Sequence, residues 1–247
     1  MRILMINPNT SPGITDKVVI AARGVASPGT EIAGATGRFG ARYITSRAGA
    51  AIAAHAALDA YAEHQGNADA VVLACFGDPG LGALKELAAQ PVVGMAEASC
   101  LLAAALGRRF AIVTGGARWQ PMLEEFVASI GLADKLARVE TVAPSGGDIA
   151  RDPDASLALL ADAAKRCATD HGADAVILGG AGLAGLAQRI AEHVPVPLVD
   201  CVAAAVKAAE ALAALDPGKA RAGSYSSPGA TETVGLASAL GRILAHE

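Results

Sequence analysis

Aromatic residues are nearly missing from this chain, with one Trp, three Tyr and four Phe among 247 residues. A core short of large rings must be built from closely spaced aliphatic layers, and the 53% hydrophobic content, mostly Ala, Val and Leu, supplies them. Basic residues form no stripe and do not interleave with aromatics, and the formal charge is only −4, which sets nucleic acid aside as a partner. No apolar stretch of membrane-spanning length is free of Gly, Pro or charge, so no membrane partner is expected. The apolar start, Met1–Ile6, meets Asn7-Pro8-Asn9 too soon for a signal segment and reads as a first strand. Cysteine is scarce. The four are scattered without a CxxC pair and point to free thiols in a reducing cytoplasm. His55, His64, His171, His193 and His246 show no metal-ligand spacing, and no dinucleotide fingerprint or Walker motif is present. Neither a metal nor an organic cofactor is therefore expected.

What is present is a duplication. Ala68-Asp69-Ala70-Val71-Val72-Leu73-Ala74-Cys75 recurs as Ala173-Asp174-Ala175-Val176-Ile177-Leu178-Gly179-Gly180. Both copies run through a Gly- and Leu-rich turn to a second apolar run behind a proline, Pro91–Gly94 and Pro197–Asp200. Strand-like runs alternate with helical patterns throughout, the signal for parallel sheets with crossover helices. The expected fold is α/β, with two pseudo-symmetric Rossmann-like halves and the active site in the cleft between them. Boundaries are expected near Gly94 and Cys201, so that residues 1–94 with 201–247 form one half and 95–200 the other. A helix is expected after Pro79, another over Leu183–Ala191, and a last one over Glu232–Ala245. The Gly-, Ser- and Pro-rich stretch Asp216–Thr231 reads as an exposed connection.

In open α/β sheets ligands bind beyond the strand C-termini, and the chemistry-bearing residues cluster there. Cys75 closes a buried-type strand ahead of Phe76-Gly77-Asp78-Pro79. Asp78-Pro79 reads as a helix start, whose free N–H groups and positive dipole end favour a thiolate, while the Asp78 carboxylate opposes it. From the residues alone Cys75 is either this reactive group or a packing cysteine. Cys100 and Cys167 lie on Ala- and Leu-rich helical faces and read as packing residues, as does Cys201. Asn7-Pro8-Asn9-Thr10-Ser11 follows the first strand, where amide and hydroxyl donors with free helix N–H groups make either a carboxylate or imide cradle or an ordinary cap. Thr114-Gly115-Gly116 is its counterpart in the second copy. Gly179-Gly180-Ala181-Gly182 brings bare backbone to the cleft. Tyr43 is a hydroxyl donor or a packing residue, and Glu97 and Asp200 are acid–base candidates by position or simply caps.

Asn7-Pro8-Asn9-Thr10, Ala74–Leu81, Pro91–Ala98, Thr114 and Pro197–Lys207 together resemble the aspartate/glutamate/hydantoin racemase superfamily, and most closely its hydantoin and allantoin racemase branch. The resemblance extends over nearly the whole chain to about Leu215. It implies two cysteines flanking the substrate Cα, one removing a proton and the other donating one, without cofactor and in an assembly of several subunits. It places Cys75 at the first cysteine, Asn9 and Thr114 at substrate-binding polar positions, and the turns Gly77-Asp78 and Gly180-Ala181-Gly182 at the anion cradles. Where those racemases carry their second cysteine, in a Gly-Cys-Ala-Gly turn, this chain has Gly180. The expected activity is a cofactor-independent racemase or isomerase acting next to a carboxylate or hydantoin-type carbonyl, with Cys75 as acid/base. The alternatives are a single-cysteine decarboxylase of a malonate-like diacid and a non-catalytic binder of small carboxylates.

Overall fold

Runs such as Ala70–Leu73 and Ala175–Leu178 are buried on both faces, and only parallel strands covered by helices on each side use such unbroken apolar sequences. The computed structural model describes residues 1–246. In chain order it contains β1 (Arg2–Asn7), α1 (Pro12–Val25), β2 (Glu31–Thr36), α2 (Arg47–His64), β3 (Ala70–Leu73), α3 (Leu81–Leu87), β4 (Val92–Gly94) and α4 (Met95–Leu106). There follow β5 (Phe110–Gly115), α5 (Trp119–Ser129), β6 (Leu136–Val142), α6 (Gly146–Arg151), α7 (Leu157–Thr169), β7 (Ala175–Leu178), α8 (Ala187–Ile190), β8 (Leu198–Asp200), α9 (Cys201–Leu215) and α10 (Ser238–Ala245). The strands form two four-stranded sheets of the same order, β2-β1-β3-β4 and β6-β5-β7-β8, and every pairing is parallel. The repeated sequence thus occupies the same place in each sheet: β3 pairs with β1 as β7 pairs with β5.

Three local expectations are corrected. The helix expected over Leu183–Ala191 is broken, because Gly185 is left-handed (φ 77°) and its N–H is drawn to the Asp200 carboxylate at 2.8 Å, leaving only the short α8. The last helix starts at Ser238 rather than Glu232. Helix α6 was not expected behind two glycines, yet Ser145 and Asp148 close a reciprocal capping box at its start.

Helices α4 and α9 lie against each other between the sheets. Helix α4 packs on β7 and β8 as well as β4, and α9 packs on β3 and β4 as well as β8. Their alanines permit close approach, and one apolar cluster consequently runs from Ile3, Met5 and Val72 through Met95, Ala103, Val202 and Val206 to Ile112 and Ile177. Cys100 and Cys201 are buried within it, and Cys167 is buried in the neighbouring cluster of the second sheet. These three act as small apolar fillers. Among the described residues no helix is long and apolar enough to cross a membrane.

Glu210 ties α9 to the turn between α1 and β2. Its carboxylate accepts from the Ser27 N–H (2.7 Å) and hydroxyl (2.9 Å), the Thr30 hydroxyl (2.8 Å) and Lys207 Nζ (2.8 Å). Burial alone would raise its pKa, but Lys207 and these hydroxyl and amide donors outweigh it and hold the group at about 2, below the ordinary 4.5. A lowered carboxylate pKa stabilises the fold above the unfolded value, and that stabilisation is lost as pH falls towards the folded one. Glu210→Gln is therefore expected to melt below the parent at neutral pH, with the gap closing between about 4.5 and about 2. Paired thermal melts across that range check it, and a gap that persists at the acid end contradicts it.

Candidate active site

The C-terminal ends of both sheets' central strands face one another across a cavity of about 230 Å³. Asn9 beyond β1 and Cys75 beyond β3 lie on its first-sheet side. Thr114 and Gly115 at the end of β5, with Gly180, Ala181 and Gly182 beyond β7, lie on the other, and Tyr43 comes from the loop before α2. Eight of the eleven residues singled out in the sequence are thus brought together. Thr10, Gly77 and Asp78 do not line the cavity. The Thr10 N–H is bonded to the Ala41 carbonyl at 3.1 Å.

Cys75 is 8% exposed, and packs with Ile44 and Ala53. No helix starts beside it: α3 begins only at Leu81, with the left-handed Gly80 ahead of it. The expected thiolate-stabilising helix end is therefore absent from Cys75. Instead the turn after Cys75 reverses through Gly77 (φ 105°) and Asp78 (φ 44°), closed by the Asp78 N–H on the Cys75 carbonyl at 3.0 Å. This reversal aims the Asp78 carboxylate away from α3 and onto the start of α4, where it accepts from the Ala96 N–H (3.0 Å) and Glu97 N–H (2.8 Å). The Asp78 carboxylate is thus the cap of a helix seventeen residues on rather than of the next helix. Gly77 is needed on space as well as φ, because a Cβ there would stand 2.9 Å from the Trp119 ring. Phe76 lies against Gly179 of the opposite turn, where a Cβ would meet its ring at 2.4 Å. The cysteine turn is thereby wedged between the two sheets.

Burial first, and the Asp78 charge second, push the Cys75 thiol up to about 12. Burial likewise raises Asp78 to about 7, against the two α4 N–H groups that favour its charged form. Burial and the Asp78 charge both favour the thiol form of Cys75 over the thiolate, and with it a proton donor. Asp78→Asn removes the nearby negative charge and is expected to speed alkylation of Cys75 by iodoacetamide severalfold at about pH 8. Peptide mapping reads the rate at Cys75 alone, since the other three cysteines are fully buried. An unchanged or slower rate contradicts this electrostatic account.

Asn9 is held by a local network. Its Oδ1 accepts from the Asn7 amide and the Ser11 N–H, both at 2.9 Å, which turns its NH₂ group outward from those partners. Gly180 has φ 136°, and a Cβ there would sit 3.3 Å from the tip of Leu183 and 3.7 Å from the Thr114 hydroxyl. Beneath it, the buried Cys201 thiol donates to the Gly180 carbonyl at 3.7 Å. Asp200 caps α9 through the Val202 and Ala203 N–H groups, and Glu97 pairs with Lys85 at 2.6 Å.

Sequence reasoning missed Ile44, Arg118, Trp119 and Ser145-Gly146-Gly147 at the start of α6, all of which line the cavity. That helix start follows β6, a strand C-terminus like the others. Trp119, the lone tryptophan, stands just beyond Thr114-Gly115-Gly116. Both were open to the same strand-end argument that selected Cys75.

A family model described as Asp/Glu/Hydantoin racemase matches residues 3–209. A hydantoin racemase of Paenarthrobacter aurescens is 38% identical over 92% of this chain and 98% of its own length. The crystal structure of an allantoin racemase from Pseudomonas fluorescens superimposes with a TM-score of 0.91 at 34% identity, covering 95% of this chain and 100% of that one. An allantoin racemase from Klebsiella pneumoniae gives 0.90 at 35% identity, with 97% and 98% covered.

Proposed function

This chain belongs to the Asp/Glu/hydantoin racemase family, and from that membership we propose that it inverts a small carbon acid at the carbon next to a hydantoin-type carbonyl or carboxylate, with Cys75 as acid/base. It is an isomerase of the racemase type. The observation that carries the assignment is the Cys75 thiol lining a cavity onto which both sets of strand ends open. In the proposed reaction the Asn9 amide and Thr114 hydroxyl bind the polar groups of the substrate. The bare Gly180-Ala181-Gly182 backbone lies close to the enolate oxygen that develops as the Cα proton leaves, and Cys75 returns a proton to one face of the carbanion. No cofactor enters this scheme. The relatives named for hydantoin and allantoin make a cyclic ureide the first substrate class to test.

A second reading rests on Gly180. With a single thiol, the cavity suits loss of CO₂ from a malonate-like diacid followed by protonation on one face. Single enantiomers of substituted hydantoins, allantoin, aspartate and glutamate, together with an arylmalonate, separate the two readings. Chiral chromatography detecting the opposite enantiomer of any α-carbon acid supports racemisation. Release of CO₂ with one enantiomer of product supports decarboxylation. Inertness across the panel overturns both.

A further inference from the structure

Resting on the racemase reading, we infer that Tyr43 supplies the second proton-transfer group, on the substrate face opposite Cys75. A racemase of the two-base kind needs an acid or base on each side of the reacting carbon. Only Cys75, Tyr43 and Arg118 among the described cavity-lining residues have titratable side chains. A guanidinium stays protonated and takes up no proton. That leaves the phenol.

Its placement fits the role. Tyr43 and Ile44 are neighbours in the loop before α2, yet they pack on different walls. Ile44 joins the apolar cluster of Cys75. The Tyr43 ring lies against Gly147, where a Cβ would come within 2.8 to 3.0 Å of its Cε1, Cζ and Cδ1 atoms. Gly147 belongs to the start of α6, whose Gly146 carbonyl abuts Gly182, a Cβ there lying 2.1 Å from that oxygen. The ring carbon that bears the hydroxyl therefore rests on the wall formed with the Gly180–Gly182 turn, the wall that carries no thiol. Among the described residues the Tyr43 hydroxyl has no protein hydrogen-bond partner, and the residue lines the cavity and is 39% exposed overall.

The step balances with one proton shared out between two sites. In one direction a Tyr43 phenolate takes the Cα proton, breaking C–H and forming O–H. The electron pair is held in the enolate, and the Cys75 thiol then gives its proton to the opposite face. The enzyme is left as phenol and thiolate, and the reverse direction starts from that state.

The test uses Tyr43→Phe in the full chain, with both enantiomers of a benzyl-substituted hydantoin and of allantoin in D₂O. Loss of the hydroxyl is expected to cut interconversion of the enantiomers roughly 100-fold or more. One enantiomer, whose Cα–H faces Cys75, is expected to keep exchanging with solvent deuterium while retaining its configuration. Tyr43→Phe racemising within about threefold of the parent overturns the assignment and points to a single-base reaction in which the enolate turns over against Cys75, since general acid–base groups contribute far more than that. A parent that leaves Cα–H in place on both compounds overturns the racemase reading itself, and the assignment with it.

Discussion

Replacing Cys75 with serine is expected to slow enantiomer interconversion by about a thousandfold, within the range that one positioned proton-transfer group contributes. The substitution changes sulfur to oxygen in a residue already 8% exposed and leaves the turn geometry intact, because Gly77 and Asp78 set that turn through their own backbone angles. A serine hydroxyl is a far weaker acid than even a thiol raised to about 12, so the donor is lost while the cavity remains. Binding of a competitive, non-reacting ureide is accordingly expected to change little, with the loss falling on kcat. Rates by chiral chromatography, with affinity by calorimetry, check this. A Cys75→Ser enzyme within tenfold of the parent kcat contradicts the role given to the thiol.

Gly182→Ala is expected to damage both fold and activity without touching a titratable group. Its φ is ordinary, so the objection is purely one of space. The new Cβ would lie 2.1 Å from the Gly146 carbonyl oxygen and 3.0 Å from its carbon. These are backbone atoms that no side-chain rotation can move. The Gly180–Leu183 turn and the start of α6 at Ser145–Gly147, both cavity walls, must separate. Overpacking of this kind costs about 1–3 kcal/mol, equivalent to a melting-point fall of about 3–10 °C in a chain of this size. Because the walls move relative to Cys75, turnover is expected to fall tenfold or more alongside the melting point. Gly146→Ala, which would meet nothing within 4 Å, is the control and should leave the melting point near that of the parent. Equal melting points for the parent and Gly182→Ala contradict the packing described.

The duplication was legible because parallel strands buried on both faces have little choice of composition. Ala70–Leu73 and Ala175–Leu178 emerge as matching central strands for that reason, and the strand-end rule gathered Asn9, Cys75, Thr114 and Gly180 around one cavity. What was hidden depended on partners distant in sequence. Asp78-Pro79 carries a local helix-start signal, but two left-handed residues swing the carboxylate to α4. Helix α8 is short because Asp200, remote in the chain, claims the Gly185 N–H. Helix α6 was legible in principle from Ser145 and Asp148, and the glycines between them masked it. Ile44 belongs to the cavity through packing on Cys75, and local pattern has no access to such a contact.

The central claim is that the Cys75 thiol exchanges a proton with the carbon of a bound substrate. Proton NMR in D₂O tests it most directly, following the Cα–H signal of a single hydantoin enantiomer with the parent and with Cys75→Ser. The account expects the parent to replace Cα–H with deuterium as the opposite enantiomer accumulates, and Cys75→Ser to form almost no deuterated opposite enantiomer. Equal build-up of deuterated opposite enantiomer with both proteins would contradict it.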